Sequence, residues 1–126
     1  MAISNEFRTF VAEQLAPLGH IGVRRMFGGA GVYCGDTMFA LLAEDTLYMK
    51  TDEASRVAYQ SEGSTPFEVK QKGGRTMATS YWKIPDRLLD DADELLAWAR
   101  QALTAARQLR RAQAPVPRAQ RRGHSR

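Results

Sequence analysis

The sequence predicts an α+β fold, a two-layer α/β sandwich built on a mainly antiparallel sheet. Three observations lead there. Apolar residues recur at helical spacing in three separate blocks, near the start, the middle and the end of the chain. Four strand-like runs lie between the first two blocks and two more before the last, which makes the order α-β(3-4)-α-β(2)-α. The links between successive runs are of hairpin length, and such links pair strands antiparallel.

Residues Ser4 to about Leu18 read as the first helix. Phe7, Phe10, Val11, Leu15 and Leu18 recur at spacings of three, four and seven and line one face. Ser4 is placed to cap the N-terminus, Glu6 complements the dipole of the first turn, and Pro17 with Gly19 ends the helix. Val23 to Phe27 is a first short strand, Gly28-Gly29 a bend or bulge, and Ala30 to Cys34 a second strand. Gly35-Asp36 suits a two-residue hairpin turn into Thr37 to Ala43, and Glu44-Asp45 turns the chain again into Thr46 to Lys50. The third strand is apolar on both faces, with Met38, Ala40 and Leu42 on one and Phe39 and Leu41 on the other. A strand of that kind belongs in the centre of a sheet, covered on both sides. The helices cover one side; the other calls for a further element or a second subunit, so a homodimer is expected.

Thr51 to Glu62 reads as the second helix, capped by Thr51 or Asp52 and stopped at Gly63. Pro66 restarts the chain as a strand in which Phe67 and Val69 alternate with Glu68 and Lys70. Lys72-Gly73-Gly74-Arg75 is a hairpin loop, and Thr76 to Ile84 the last strand. The third helix runs from about Asp90 to Arg111, with Asp91 and Glu94 at capping-box spacing and an apolar stripe of Leu95, Ala99, Ala102, Leu103 and Ala106. Pro115 and Pro117 break it. Residues 1–112 are therefore expected to form one domain and residues 113–126 a disordered, arginine-rich tail.

Composition narrows the function classes. The chain has 126 residues, 44% of them hydrophobic, enough for one packed core. A single cysteine, Cys34, excludes an intrachain disulfide and any multi-cysteine zinc site. The N-terminus lacks the basic and apolar segments of a signal peptide, and no apolar run approaches a membrane span. A cytoplasmic protein without membrane contact is expected. The net charge of +4 is unevenly placed: Arg118, Arg121, Arg122 and Arg126 follow Gln113 with no acid among them, and the rest of the chain carries fourteen basic and fourteen acidic residues.

No set of residues assembles a catalytic site. Gly29-Ala30-Gly31 lacks the third glycine of a dinucleotide fingerprint, since Cys34 stands there, and a strand rather than a helix follows. A backbone bend is the favoured reading, with an anion site near Arg24, Arg25, Phe27, Gly28 and Gly29 as the alternative. Arg24 and Arg25 point to opposite faces of a strand, so they form no patch by themselves; one of them can pair with an acid such as Asp36 or Glu44. Cys34 has no histidine convincingly beside it, because the two present are His20 and His124. Two histidines and one cysteine also make a poor metal set. Asp90, Asp91, Asp93 and Glu94 cluster where a helix begins and are explained by capping. Tyr81 and Trp82 should divide between the core and the opposite face; with Lys70, Lys72, Arg75 and Lys83 nearby they are candidates for stacking bases. Arg118, Arg121 and Arg122 could hold nucleic-acid phosphates without sequence choice, or simply solubilise the chain. No cofactor is expected.

In order and spacing, several short motifs carry a resemblance. They are Arg24-Arg25-Met26-Phe27-Gly28-Gly29-Ala30-Gly31-Val32-Tyr33, Met38-Phe39-Ala40-Leu41, Leu47-Tyr48-Met49-Lys50, Gly63-Ser64-Thr65-Pro66-Phe67, Ser80-Tyr81-Trp82-Lys83-Ile84-Pro85 and Leu95-Leu96-Ala97-Trp98-Ala99. From Ser4 to about Arg111 the chain resembles the TfoX/Sxy N-terminal domain. The resemblance implies a fold similar to secretion chaperones, with the element order read above. It implies a non-enzymatic regulator of competence and DNA-uptake genes, working through protein contacts with the transcription machinery or a regulator, alongside the cyclic-AMP receptor protein. It brings no catalytic residues to carry over. The longer regulators have a second, helical C-terminal domain, whereas here a short arginine-rich segment follows.

Overall fold

A computed structural model describes residues 4–26 and 28–113. Phe27 and residues 114–126 of the expected tail, with Arg118, Arg121 and Arg122, lie outside the described residues.

The first helix, α1 (Asn5–Leu15), starts as expected: the Ser4 hydroxyl accepts the Phe7 N–H at 3.1 Å. It ends three residues earlier than expected. Pro17 lies in a 3₁₀ turn over Ala16–Leu18, and the Ala16 N–H already reaches back only to the Glu13 carbonyl. The strands β1 (Ile21–Met26), β2 (Gly29–Cys34), β3 (Thr37–Ala43) and β4 (Thr46–Lys50) follow as a meander. Met26 faces Gly29 across the first ladder, and Gly28, at φ 79°, allows that sharp reversal. The β3–β4 turn is unusual, because Glu44 and Asp45 both take positive φ, 52° and 56°, without a glycine. The Asp45 carboxylate also accepts the Ser4 N–H at 2.8 Å, which ties this turn to the start of α1.

Asp52 rather than Thr51 caps α2 (Glu53–Ser61), in a reciprocal box with Ser55. Then β5 (Pro66–Lys70) and β6 (Thr76–Lys83) form a hairpin. The last helix, α3 (Ala92–Gln113), begins after a 3₁₀ turn over Asp86–Asp90. Only half of the expected capping box forms there. The Asp91 carboxylate accepts the Glu94 N–H at 3.1 Å, while the Glu94 side chain turns away to Arg87 and Trp98.

The six strands are ordered β1-β2-β3-β4-β6-β5, antiparallel throughout, so β3 is central as expected and β1 and β5 are the edges. The expected division of β3 between two faces needs correction. Val32 pairs with Ala40 but Tyr33 with Met38, leaving Phe39 as an extra residue. This bulge shifts the alternation by one, so Phe39, Ala40 and Leu42 all enter the helix-side core and are fully buried. Met38 moves to the other face, where its sulfur lies beside Gly31 and Tyr33. α3 packs across β3 and β4, and α1 packs against α3 and β1. Tyr59 of α2 meets Trp98 of α3 edge-on at 4.8 Å, so all three helices share one layer. Burying a side chain the size of Phe39 or Leu42 there stabilises by about 1.5–3 kcal/mol.

Candidate functional site

Among the described residues all helices lie on one side, and the other face of the sheet carries none. Alternation places Gly31 and Tyr33 of β2, Leu41 of β3, Tyr48 and Lys50 of β4, and Tyr81 of β6 on that face. Phe67 of β5 joins them, packed edge-on against Tyr48 at 5.1 Å. The face is strongly concave. In a flat sheet the two edges would stand about 24 Å apart, five spacings of about 4.8 Å. Yet Met26 and Gly29 near one edge and Phe67 to Lys70 on the other line a single groove of about 490 Å³. Ala30, Leu41, Leu42 and Glu44 also line it.

Two irregularities explain the curvature. One is the Phe39 bulge. The other lies where Pro66 pairs with Trp82 but Glu68 with Ala78, so that the β5–β6 hairpin bends over the face. The second cover expected for β3 is therefore supplied in part by the sheet itself: Leu41 is 8% exposed within one chain. Among the described residues nothing covers the end of the bent hairpin. Val69 and Met77 pair across it and are 37% and 48% exposed.

The glycine cluster serves this geometry. A Cβ on Gly29 would run into the Leu42 carbonyl oxygen, and a Cβ on Gly31 would press on Met26, Tyr33 and Met38. β2 lies between β1 and β3, so its backbone is used in ladders on both edges. Gly28 and Gly29 thus form the wall of an apolar groove.

Arg24 and Arg25 are separated by the strand, as their adjacency implies. Arg24 lies on the concave face, with its guanidinium 4.5 Å from the centre of the Tyr33 ring. Arg25 lies on the other side, paired in register with Ala30. The expected carboxylate partner does not appear: among the described residues neither arginine forms an ion pair with Asp36, Glu44 or any other acid. Tyr81 and Trp82 also part company. Trp82 packs against the core, whereas Tyr81 lies on the concave face under Lys50, whose ammonium is 5.1 Å from the ring centre. Burial, and then the nearby Tyr33, pushes the Tyr81 hydroxyl above its usual pKa. Burial, and then Arg56, holds the Lys50 ammonium below its usual value. The structure thus joins Arg24 and Tyr81 through Tyr33 on one face.

Other features have no signal in the sequence. Arg87 forks between Glu62 at the end of α2 and Glu94 at the start of α3, with 2.8 Å to Glu94, and the Trp98 indole N–H donates to Glu94 at 3.2 Å. At the far end of the strands, Arg107 and Arg110 of α3 reach Cys34 and Thr37. Cys34 itself is buried. Among the described residues no group of three or more histidine, cysteine, aspartate or glutamate side chains is placed to hold a metal. No helix among them is long and apolar enough to cross a membrane.

Two comparisons with known proteins bear on this arrangement. The TfoX N-terminal domain family matches residues 13–106. Protein Sxy of Escherichia coli (strain K12) is 29% identical over 94 residues, which cover 75% of this chain and 44% of Sxy. The chain spans less than half the length of that curated relative.

Proposed function

We propose that this chain, which belongs to the TfoX N-terminal domain family, is a non-enzymatic regulatory domain that holds a protein partner against the concave face of its sheet. The observation that carries this reading is the groove between the two sheet edges, continued by the exposed pair Val69 and Met77. Large apolar side chains left open on one face of one hairpin mark a contact surface. β5 is also an edge strand in the described sheet, and a free edge can pair with an extended segment of a partner while the groove takes its side chains. The family resemblance supports a partner in the transcription machinery, with competence and DNA-uptake genes as the regulated set. A partner such as the cyclic-AMP receptor protein or RNA polymerase fits that resemblance.

The test places a photo-crosslinking side chain at Met77 in cells that carry a competence-gene reporter. The expected product is a crosslink to a transcription regulator or to RNA polymerase. Met77→Glu, which puts a charge where apolar contact is needed, should lower reporter output about tenfold, equivalent to about 1.4 kcal/mol of partner affinity. Unchanged output from a folded Met77→Glu chain refutes the reading. A crosslink to a second copy alone makes the surface one of self-association and overturns the choice of partner.

A further inference from the structure

Charge along this chain is sharply divided. Residues 1–94 contain ten lysines and arginines and all fourteen acids, whereas residues 95–126 contain eight arginines, no lysine and no acid. Half of those arginines lie on α3, at positions 100, 107, 110 and 111. Attraction to the helix dipole accounts for the last turn, where Arg110 and Arg111 sit, but not for Arg100 and Arg107 further back.

The structure gathers three of them at one place. Arg107, Arg110 and Arg111 surround a hollow of about 320 Å³ whose remaining wall is Thr37, at the start of β3. The Arg110 guanidinium donates to the Thr37 hydroxyl at 3.2 Å, and Arg107 lies 3.9 Å from the Cys34 sulfur. All three arginines are exposed. Among the described residues none forms an ion pair, and Asp36, on the adjoining turn, is not within bonding distance of them. Three guanidinium groups and a hydroxyl around an acid-free hollow make a receptor for phosphate oxygens, because the planar guanidinium matches a phosphate with two parallel hydrogen bonds.

We infer that this end of α3, together with Thr37, is a binding surface for the phosphodiester backbone of nucleic acid, read without regard to base sequence. A membrane surface is disfavoured by the helix itself. Leu95, Ala99, Ala102 and Leu103 of α3 are spent on the core, so no apolar stripe is free to enter lipid. In the sequence, Arg118, Arg121 and Arg122 add further positive charge with no acid among them, and the test below separates their effect from that of the helix. This inference stands apart from the partner reading, since it uses a different surface.

Fluorescence anisotropy of the full chain with short labelled duplex and single-stranded DNA of arbitrary sequence tests it. Each phosphate contact on duplex adds about 0.9 to the slope of log affinity against log salt. The triple variant Arg107→Gln, Arg110→Gln, Arg111→Gln should therefore flatten that slope by about 2.7, so that between about 50 and 200 mM salt it loses about 40-fold less affinity than the parent chain. The triple lysine variant keeps the charges and should keep the slope. A parallel variant, Arg118→Gln, Arg121→Gln, Arg122→Gln, separates the segment from the helix. If that variant abolishes binding while the helix variant matches the parent, the site is not on α3 and the inference falls. Equal, arginine-dependent binding of polyglutamate would assign the surface to acidic protein instead, and equal binding of anionic phosphatidylserine vesicles would assign it to lipid. Thermal melts by circular dichroism confirm that each variant is folded; Arg107, Arg110 and Arg111 are exposed, so the helix variants should melt with the parent.

Discussion

The two glycines Gly22 and Gly29 form a matched pair that isolates the close approach behind the groove. Both lie in strands and neither has positive φ, so alanine relieves the same backbone entropy at each, about 0.5–1 kcal/mol in favour of folding. They differ in what the new methyl group meets. At Gly22 nothing lies within 4 Å; at Gly29 the methyl runs into the Leu42 carbonyl oxygen, a backbone atom in the central strand that cannot swing aside. Overpacking costs about 1–3 kcal/mol, and a clash with a backbone atom falls at the upper end, so after the entropy gain Gly29→Ala should destabilise by about 2 kcal/mol net and Gly22→Ala should stabilise by about 0.5. At about 4 °C per kcal/mol for a domain of this size, the first should melt about 8 °C lower and the second about 2 °C higher. Urea titration followed by tryptophan fluorescence should show the same order in midpoint without a change in slope. Gly31→Ala should fall between them, because the Met26 and Met38 thioethers that it meets can yield. Equal melting temperatures for Gly22→Ala and Gly29→Ala would refute the reasoning, since the cluster would then have no packing role.

Two further outcomes follow from the turn and from the Arg87 fork. Glu44 adopts positive φ at a cost that asparagine largely avoids, so Glu44→Asn should raise stability by about 0.5–1 kcal/mol in urea titration; a loss would show that Glu44 has a compensating role. Hydrogen bonds from Arg87 hold the Glu62 and Glu94 carboxyls below the ordinary carboxylate range. A carboxyl whose folded pKa lies below its unfolded one contributes stability above the unfolded value of about 4.5 and loses it as pH falls through the folded value. Arg87→Ala should therefore flatten the acid limb of a stability–pH curve below about pH 4.5, and an unchanged limb would mean that the fork carries no linkage.

The local signals in this chain were readable and the distant ones were not. Ser4, Asp52 and Gly35-Asp36 act where the sequence places them, because caps and two-residue turns depend on neighbours a few positions away. Family motifs then supported the α+β class and the element order. The Phe39 bulge escaped, since an extra residue in a ladder leaves an apolar run looking apolar. Asp91 and Glu94 had the spacing of a capping box, yet an arginine in the preceding 3₁₀ turn competes for Glu94 and wins it by charge. The groove depends on two edges that are far apart in strand order, and the arginine hollow on contacts 73 residues apart in sequence. Neither can be seen from periodicity. Of the residues singled out for binding, Gly28 and Gly29 line the groove and Arg24 and Tyr81 share its face, while Trp82 packs against the core from the other side.

The groove and the arginine hollow sit at opposite ends of the same strands: Gly29 begins β2 at the one, and Cys34 ends it at the other. Six residues of strand span about 20 Å. Two occupants at those ends would not collide, and β2, paired with a strand on each side, would fix the distance between them. The central sheet is then a spacer as well as a scaffold, and lengthening or shortening that strand would alter the reach between two bound molecules without touching either contact.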